Sequence, residues 1–408
     1  MPQPIITSLL EQDFYKFTMG QLVLHQLPTV NVRVEFKLRT VGPDLSPYIG
    51  RISDELDHLC SLRFTDAEIS YLRGIRFLSS DFCDYLRRLW LYRDQIHVER
   101  DPSANGGIAI WAEGPWRDVI WFEIPVLAIV EELWMRDHPG SEKEGMRRLD
   151  EKIGQFNKNS AWGYKVADFG LRRRYSTSWH RKVVETLAEK GAAFFSGTSD
   201  VLLAKEFGVS PIGTFAHELF MGIMGTEVRV SEVQRRTLDL WAHEYRGELG
   251  IALSDVFGFR AFLRDFDLYF SKLFDGCRHD SGDPFKWGEM LIDHYKKMRI
   301  DPTTKTACWS DSLDTRAALA IAERFRGRIK VTFGIGTHFT NDTGAEPLSI
   351  VMKLTKSNGY PVVKLSDSPG KTMCNDASFV EYVKQQYAWR SIDDDAETPL
   401  DNCKAFHA

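Results

Sequence analysis

The chain of 408 residues lacks paired cysteines and lacks a long uncharged apolar segment. Its six cysteines form no C-x-x-C pair, which argues against a zinc knuckle or a disulfide framework and predicts reduced thiols. A membrane span needs about 18 or more consecutive apolar residues, whereas three glutamates interrupt the most apolar stretch, 119–134. We therefore expect neither a disulfide-stapled domain nor a transmembrane protein. The cysteines are Cys60, Cys83, Cys277, Cys308, Cys374 and Cys403.

An excess of positive charge is also lacking, because 52 lysines and arginines stand against 57 aspartates and glutamates, a net charge of −5. This total gives no reason to expect nucleic-acid binding, although local basic clusters could still hold an anionic small molecule. Residues 1–11 show neither a basic segment nor a long apolar run, so we expect no secretory signal and predict a cytoplasmic protein. With 43% hydrophobic and 27% charged residues, the composition is that of a globular protein rather than a disordered chain or a coiled-coil rod.

The pattern of predicted elements changes near residue 126. Before this point helices and strands mix in no repeating order, which indicates an α+β region. Beyond it a unit of strand, polar loop and helix recurs, including a predicted strand over 212–215 and a predicted helix over 259–274. Such repeats predict parallel strands with crossover helices, and a closed α/β barrel is favoured over an open doubly wound sheet. After residue 350 strand-like alternation returns, so we expect the tail to pack against the N-terminal region.

Polar side chains recur just past the predicted strands, where a barrel would gather them on one face. Guanidinium groups bind phosphate or carboxylate, carboxylates can bond sugar hydroxyls or face a developing cation, and a glycine-rich loop can cradle phosphate. Together these groups predict a phosphorylated sugar substrate. They are Arg172, Arg173, Arg174, Ser199, His217, Asp255, Arg278, His279, Asp280, Ser310, Asp311, Gly334, Ile335, Gly336 and Thr337.

Each of these signals also has an ordinary structural explanation. A single histidine such as His217 is often a satisfied structural residue, and the arginine run 172–174 could be a solvated surface. The G-x-G-T segment 334–337 could be only a turn, and Asp255 could cap the following helix. The functional interpretation is favoured because all of them fall at equivalent places in the repeated unit.

Ten segments, taken in order, resemble bacterial nicotinate phosphoribosyltransferases, which are type II phosphoribosyltransferases. The resemblance covers nearly the whole chain, and its most specific parts are RHDSGDP, KLSDSPGKT and GT-x-AHE. The segments are LLEQDFYKFTMGQ (9–21), EGPW (113–116), DFGLRRRYS (168–176), GTSD (197–200), GTFAHE (213–218), LSD (253–255), RHDSGDP (278–284), SDSLD (310–314), FGIGTHF (333–339) and VVKLSDSPGKTMC (362–374).

The resemblance implies a reaction that joins nicotinate to phosphoribosyl pyrophosphate and yields nicotinate mononucleotide and pyrophosphate in NAD biosynthesis. It implies Mg²⁺ and coupling to ATP as a co-substrate, so that this pentosyl transfer is classed with the ligases. The implied fold is an irregular, TIM-like α/β barrel over 126–344. A second α+β domain over 1–125 would be joined by about 345–408. A homodimer with sites shared at the subunit interface is also implied.

The resemblance further implies three catalytic residues. His217 resembles the histidine that accepts phosphate from ATP, and a neutral imidazole is a competent nucleophile at neutral pH. Asp280 and Asp255 would bind ribose hydroxyls and stabilise an oxocarbenium-like centre as pyrophosphate leaves. Glu218 could orient the His217 ring or could point to solvent. The sequence does not assign the metal ligands.

The remaining implied residues bind substrate. Tyr15, from the partner subunit, and Phe169 would stack on the nicotinate ring, although core packing could also explain both aromatic side chains. Arg172 and Ser199 would hold the nicotinate carboxylate. The expected ligands of phosphate, pyrophosphate or ribose are Arg39, again from the partner subunit, Arg278, Ser310, Gly334, Gly336 and Thr337.

Two positions depart from the family pattern. Asp200 stands where asparagine usually follows the GTS segment, and a carboxylate there would repel an anionic substrate unless it caps the next helix or faces away. His338 follows the GIGT segment where arginine is expected. Both departures bear on phosphate affinity and not on the reaction.

Two alternatives stay open from the sequence. One is a nicotinamide or quinolinate phosphoribosyltransferase of the same fold; a neutral amide needs an acceptor, whereas Ser199 beside Arg172 suits a carboxylate better. The other is a non-catalytic homologue that binds pyridine nucleotides. The intact set of four residues argues against it: His217, Asp255, Arg278 and Asp280.

Overall fold

A computed structural model describes residues 3–368, 371–372, 374 and 376–394. Cys403, part of the motif 362–374 and the end of the expected C-terminal segment lie outside the described residues. The strands are β1 Asn31–Leu38, β2 Ile96–Arg100, β3 Ile108–Pro115, β4 Lys165–Asp168, β5 Phe195–Thr198, β6 Ile251–Leu253, β7 Gly276–His279, β8 Thr306–Trp309, β9 Lys330–Ile335, β10 Ile350–Ser357 and β11 Tyr360–Pro361. The α-helices are α1 Phe14–Gln26, α2 Ile49–Ser61, α3 Asp66–Arg73, α4 Ser80–Arg87, α5 Trp116–Val119, α6 Glu123–Asp137, α7 Glu142–Lys158, α8 Thr177–Lys190, α9 Val201–Phe207, α10 His217–Met224, α11 Val233–Tyr245, α12 Phe259–Asp265, α13 Leu268–Leu273, α14 Pro284–Lys297, α15 Thr315–Phe325, α16 Thr337–Thr340 and α17 Ala377–Tyr387.

One sheet is antiparallel and joins the two ends of the chain. Its five strands stand in the order β11-β10-β1-β3-β2. Strand β10 pairs with β1 from Val32 to Leu38, and β3 pairs with the other edge of β1. Alternate side chains of β1, including Val32 and Val34, are buried, as the alternation of its sequence predicts. The pairing of β10 with β1 agrees with the expectation that the tail packs against the N-terminal region.

The other sheet is parallel and has six strands in the order β5-β4-β9-β8-β7-β6. Helices link these strands, so the prediction of an α/β fold with a second α+β part is confirmed, and the barrel is consistent with this sheet. Packing between the strands is tight: a Cβ on Gly276 would lie 1.8 Å from the carbonyl oxygen of Thr306 on the neighbouring strand. Because all six strands run parallel, their carboxyl ends open on one face, where the polar loops meet.

The chain between β5 and α10 spans the two edges of this parallel sheet. The Thr198 amide donates to the Ser210 carbonyl (3.2 Å), and the Ile212 amide donates to the Thr198 carbonyl (2.9 Å). On the other side, Thr214 Oγ1 donates to the Ile251 carbonyl (2.8 Å). The prediction of a regular strand over 212–215 is wrong, because only an isolated bridge between Thr198 and Pro211 forms there. The arrangement is nevertheless consistent with an irregular barrel.

The N-terminal segment packs directly on the carboxyl face of the parallel sheet. The Phe14 amide donates to the Ser199 carbonyl (2.8 Å), and the Val201 amide donates to the Gln12 carbonyl (3.1 Å). These bonds bring the start of α1 to the loop after β5. Within the described part of the chain, no helix has the length and apolar character needed to cross a membrane.

Candidate active site

Three adjoining cavities lie at the carboxyl ends of the parallel strands. Two are polar, with volumes of about 290 and 590 Å³, and share Phe169, Arg172 and Asp280 in their walls. The third is largely apolar, has a volume of about 320 Å³, and also reaches Phe169 and Arg172. Every binding residue expected from the sequence lines at least one cavity: Tyr15, Arg39, Phe169, Arg172, Ser199, Arg278, Ser310, Gly334, Gly336 and Thr337.

His217 is the first residue of α10 and lines the smaller polar cavity. Its Nε2 lies 2.9 Å from Oδ1 of Asp255 and 3.6 Å from Oδ2 of Asp280. Burial, followed by the nearby Lys364 ammonium, lowers the pKa of His217 to about 4. The imidazole is therefore neutral at pH 7. The Asp255 carboxylate favours the proton on Nε2, which leaves the lone pair on Nδ1.

Asp255 and Asp280 have different surroundings. Asp255 is buried; its Oδ2 accepts a hydrogen bond from Ser281 Oγ (2.6 Å) and lies 3.0 Å from Lys364 Nζ. Burial alone would raise the pKa of Asp255, but the Lys364 ammonium and these hydrogen bonds hold it well below its usual value. Asp280 lines both polar cavities, and 26% of its side chain is exposed. Asp255 therefore orients His217, whereas Asp280 faces the space where a substrate would lie.

Three lysines that sequence reasoning missed line the smaller polar cavity: Lys353, Lys364 and Lys371. Lys371 Nζ donates to Oδ1 of Asp311 (2.6 Å). Burial lowers the pKa of Lys353 to about 8. Lys364 and Lys371 belong to the KLSDSPGKT segment and could have been found there, whereas a single lysine in the alternating strand β10 gave no such signal. With Arg172 and Arg39, these lysines make the cavity suited to an anion.

The walls of the apolar cavity include the aromatic rings of Tyr15 and Phe169. The Arg172 guanidinium lies 6.0 Å from the centre of the Tyr15 ring, and its Nε lies 3.3 Å from Oδ2 of Asp13. Ser199 Oγ donates to Oδ1 of the same aspartate (2.6 Å). Asp13, which the sequence analysis missed, therefore orients both groups expected to hold a carboxylate.

Tyr15 and Arg39 reach the cavities from the same chain that supplies Phe169. Both side chains line the cavities within one chain, and the contribution of a partner subunit stays a prediction. A pair of backbone hydrogen bonds fixes residues 12–14 against the loop after β5. Those contacts place the start of α1 over its own parallel sheet.

Asp200 faces away from the cavities. Its Oδ1 accepts hydrogen bonds from the amides of Leu202 (2.9 Å) and Leu203 (3.2 Å) and so caps α9. Its Oδ2 lies 3.6 Å from Nδ1 of the buried His180 and 4.0 Å from Arg174. Because this carboxylate caps a helix, it does not confront an anion in the cavities.

Asp168, which also contacts His180, fixes the turn that carries Phe169 and Arg172. Its Oδ1 accepts from the Gly170 amide (2.9 Å). Its Oδ2 is bound by His180 Nε2 (2.7 Å) and Thr198 Oγ1 (2.6 Å). The turn after β4 is therefore held by buried polar contacts on its inner side.

His338 lines the larger polar cavity but acts on a helix. Its Nε2 accepts from the Thr315 amide (3.1 Å) at the start of α15. Burial, followed by the Lys152 ammonium, lowers the pKa of His338 to about 4. The ring is therefore neutral at pH 7 and does not replace the positive charge of the expected arginine.

The glycine-rich loop 334–337 leaves room for the Phe169 ring and also lines the larger polar cavity. A Cβ on Gly334 would lie 2.2 Å from Cδ2 of Phe169, so only glycine leaves room for this ring. Ser310 Oγ donates to Oδ1 of Asp280 (3.0 Å). Nε of Arg278 is buried and has no hydrogen-bond partner among the residues that the structure describes, which leaves a donor for an anion.

One group of side chains has the composition of a metal site. Single ligand atoms of His217, Asp255 and Asp280 lie within 4.8 Å of one another. Lys364 already places a positive charge beside Asp255, and His217 occupies the other oxygen of that carboxylate. Oxygen atoms facing the polar cavities come instead from Asp280 and Asp311.

Comparisons with known proteins agree on one family. The model of the nicotinate phosphoribosyltransferase (NAPRTase) family matches residues 164–390, and the model of the NAPRTase N-terminal domain matches residues 10–131. A curated nicotinate phosphoribosyltransferase of Acidovorax sp. (strain JS42) is 51% identical over an alignment of 397 residues that covers 94% of this chain and 98% of the relative. One from Burkholderia cenocepacia (strain HI2424) is 50% identical over 396 residues, 96% and 99% of the two chains.

Solved structures of proteins with the same name have the same fold. The crystal structure of nicotinate phosphoribosyltransferase from Vibrio cholerae matches with a TM-score of 0.91 and 37% identity, covering 95% of each chain. That of the enzyme from Porphyromonas gingivalis matches with a TM-score of 0.88 and 29% identity, covering 94% of this chain and 100% of the other.

Proposed function

This chain belongs to the nicotinate phosphoribosyltransferase family, and from that premise we propose that it transfers phosphoribosyl from phosphoribosyl pyrophosphate to nicotinate, with ATP as co-substrate. The products are nicotinate mononucleotide and pyrophosphate. His217 accepts a phosphoryl group from ATP and carries it as an intermediate. The observation that carries the proposal is a neutral, buried His217 held by Asp255 in a cavity lined by lysines and arginines. The NAD pathway and the cytoplasmic location rest on the family alone.

The phosphoryl step uses the lone pair of His217. Nδ1 attacks the γ-phosphorus of ATP, an N–P bond forms, the bond to the bridging oxygen breaks, and ADP leaves. The Asp255 carboxylate holds the Nε2 proton and so stabilises the positive charge that develops on the ring. The Lys353 and Lys371 ammonium groups lie in the same cavity and stabilise the negative charge of the phosphoryl group during its transfer.

The glycosyl step needs a planar base, a developing cation and a leaving anion. The nicotinate ring lies between Tyr15 and Phe169, and Arg172 binds its carboxylate. As the ring nitrogen forms the new bond to the ribose carbon, the bond to pyrophosphate breaks, and the Asp280 carboxylate stabilises the cationic ribose centre. Arg278, whose buried Nε has no hydrogen-bond partner within the described part of the chain, binds a phosphate group.

Mg²⁺ fits this donor set. The ion prefers oxygen ligands and is commonly held by one or two carboxylates together with substrate phosphates. Asp280 and Asp311 line the polar cavities and supply such oxygens, and Lys371 pairs with one oxygen of Asp311. Asp255, in contrast, has both oxygens engaged, by His217, Ser281 and Lys364. When bound, the ion would neutralise pyrophosphate charge; the residues Asp280 and Asp311 would hold it.

Incubation with γ-labelled ATP tests the phosphoryl step. We expect label on the wild-type protein, no label on His217→Ala, and full labelling of the control His138→Ala, which changes an exposed histidine directly after α6. Unlabelled wild-type protein whose turnover ignores ATP would overturn the phosphohistidine and the coupling.

The choice of base is tested by competition. Asp13 has both carboxylate oxygens engaged, by Ser199 and Arg172, so it offers little to the NH₂ group of an amide. We expect pyrophosphate release with nicotinate and much less with nicotinamide or quinolinate. Preference for either of the other bases would contradict the assignment, and no release with any base would favour a binding protein.

We propose a homodimer for the assembled protein, as the family resemblance implies, but with a complete site in each chain. Tyr15, Arg39 and Phe169 of one chain lie around the same group of cavities, so no residue of the proposed mechanism has to come from a partner. Sedimentation at several protein concentrations would test the dimer.

A further inference from the structure

A buried lysine bridges two buried glutamates beside the proposed site. Only 1% of the Lys16 side chain is exposed, and 8% of the Glu123 and Glu218 side chains. Lys16 Nζ lies 2.8 Å from Oε2 of Glu123 and also donates to Oε2 of Glu218. Burial alone would lower the pKa of Lys16, but the two carboxylates raise it above its usual value. The three side chains therefore form a charged bridge inside the protein.

One end of this bridge adjoins the nucleophile. Glu218 follows His217 in the first turn of α10, and the two side chains diverge. His217 contacts Asp255, whereas Glu218 contacts Lys16 and accepts a hydrogen bond from Trp116 Nε1 (2.8 Å). Glu218 therefore neither orients the imidazole nor points to solvent, the two roles that the sequence left open.

The other end reaches the groups around the nicotinate ring. Glu123 Oε2 accepts from the Tyr15 hydroxyl (3.5 Å), and its Oε1 lies 3.8 Å from Arg172. Oε1 also lies 4.0 Å from Lys353. Glu123 thus contacts one residue expected to stack on the base, one expected to bind its carboxylate, and one lysine of the anion cavity.

We propose that Lys16 is a positioning residue that couples the state of His217 to nicotinate binding through Glu218 and Glu123. This inference rests on the proposed function and adds the route by which the ATP step would affect the base. A buried ion pair is weak support for stability alone, because the loss of hydration offsets the attraction between the charges. Its position between two proposed substrate-binding regions points to a role in their geometry.

The coupling follows from charge. A phosphoryl group adds about 1.5 to 2 negative charges at neutral pH, here directly before Glu218. Repulsion between this phosphoryl group and the Glu218 carboxylate changes the contacts that Lys16 makes with Glu218 and Glu123. The contacts of Glu123 with Tyr15 and Arg172 then change as well. Lys16 belongs to α1, Glu218 to α10 and Glu123 to α6, so three elements that pack together carry the displacement.

The test compares the KM of nicotinate with and without ATP in full-length variants. In Lys16→Met and Glu218→Gln we expect the ATP-dependent ratio of KM values to shrink by about 3- to 30-fold, with His217 still labelled by γ-labelled ATP. Glu218→Gln keeps the shape and an acceptor for Trp116, so it carries the test if Lys16→Met does not fold. Lys16→Arg, which keeps the charge, should restore part of the ratio.

The matched control is Lys305→Met, a buried lysine that donates to the Phe274 carbonyl (2.6 Å) at the amino end of the parallel sheet. We expect the ratio of its nicotinate KM values with and without ATP to equal the wild-type ratio. Unchanged ratios in Lys16→Met or in Glu218→Gln would overturn the inference while leaving the proposed function intact. A wild-type ratio of one, with no labelling, would instead overturn the proposed coupling itself.

Discussion

Lys364 is the residue on which the protonation of the proposed nucleophile depends most directly after burial. It lies 3.0 Å from Asp255 and 4.0 Å from Asp280, and it lowers the pKa of His217. A positive charge beside a histidine disfavours the protonated, positively charged form of its ring. His217 therefore stays neutral and keeps its lone pair at pH values well below the ordinary histidine pKa. Activity should therefore persist to lower pH than an unperturbed imidazole would allow.

Lys364→Met tests this dependence. Removing the ammonium raises the pKa of His217, so protonation begins at higher pH, and the acid limb of the labelling rate should move up by about one pH unit. The measurement is the rate of phosphoryl transfer from ATP between pH 4 and 8. Lys371→Met, which removes a lysine paired with Asp311, is the control, and its acid limb should stay where the wild-type limb lies.

Arg172→Met tests the assignment of the carboxylate ligand. A charge-assisted hydrogen bond contributes about 1.5 to 3 kcal/mol, so the KM of nicotinate should rise about 10- to 100-fold. The KM of phosphoribosyl pyrophosphate should change far less than that of nicotinate. Arg173→Met is the comparison, because Arg173 lines the two polar cavities and not the apolar one. A larger nicotinate effect in that variant would contradict the assignment.

At this scale the sequence pointed to residues that directly follow predicted strands and missed residues that reach the site from other elements. His217, Asp280 and Arg278 stand in specific segments after predicted strands, and all line the cavities. Asp13, although it lies in the segment 9–21, directly precedes a helix, and Lys353 lies in an alternating strand. An aspartate or a lysine at such a position carries no functional signal of its own, yet both line the cavities. Only the packing of distant segments brings them there.

Strands β7 and β8 position Arg278, Asp280 and Ser310, and they depend on one glycine. A Cβ on Gly276 would lie 1.8 Å from the Thr306 carbonyl oxygen. Gly276→Ala should therefore destabilise the protein by about 3 kcal/mol or more and lower activity with it. Gly154→Ala, on an open side of α7, should instead stabilise it by about 0.5 to 1 kcal/mol. Thermal unfolding of both variants checks the pair.

The cap of α9 predicts a pH-dependent stability. Burial raises the pKa of Asp200 to about 7, despite His180 and Arg174 nearby. The folded protein then binds this proton more tightly than the unfolded chain, so the free energy of unfolding falls as pH rises from about 4 to 7. Asp200→Asn keeps an oxygen for the cap and carries no charge.

We expect Asp200→Asn to be more stable than the wild type at pH 8, by about 1 to 3 kcal/mol, and nearly equal at pH 5. Denaturant titrations at the two pH values measure this difference. Equal gains at both values would mean that the carboxylate is not protonated during folding.

Elements were predictable where local pattern and tertiary packing agree. The strand over 306–309 is observed as predicted, because a short apolar run fits a strand buried on both faces. The predicted helix over 259–274 is divided into α12 and α13, because Asp267 accepts from the amides of Tyr269 and Phe270 and starts a second helix. The segment 210–214 is irregular because it must span two strands that are not adjacent in the sheet.

Over the whole molecule, the two sheets meet at the cavities, and both contribute side chains. Lys353 comes from the antiparallel sheet and Asp280 from the loop after a parallel strand, yet both line the smaller polar cavity. The mixed α/β class was predictable from element order. The joint origin of the site was visible only through the family resemblance, because alternation alone does not say which face of β10 meets the parallel sheet.

Mixing two inactive variants tests whether one chain holds a complete site. If Tyr15→Ala and Asp280→Asn are mixed and allowed to exchange subunits, no activity should return, since both residues serve the same chain. Sites shared between subunits would instead restore about a quarter of the wild-type activity. Native mass spectrometry of the mixture, with one variant isotopically labelled, shows that exchange has occurred.

The pairing of β1 with β10 has a consequence for synthesis on the ribosome. Strand β1 is complete after residue 38, but its partner on one edge ends at residue 357. Through most of translation that edge of β1 lacks its native neighbour, and an open edge can pair with other chains. Nascent chains stopped before residue 350 should therefore recruit chaperones or aggregate, and full-length chains should not.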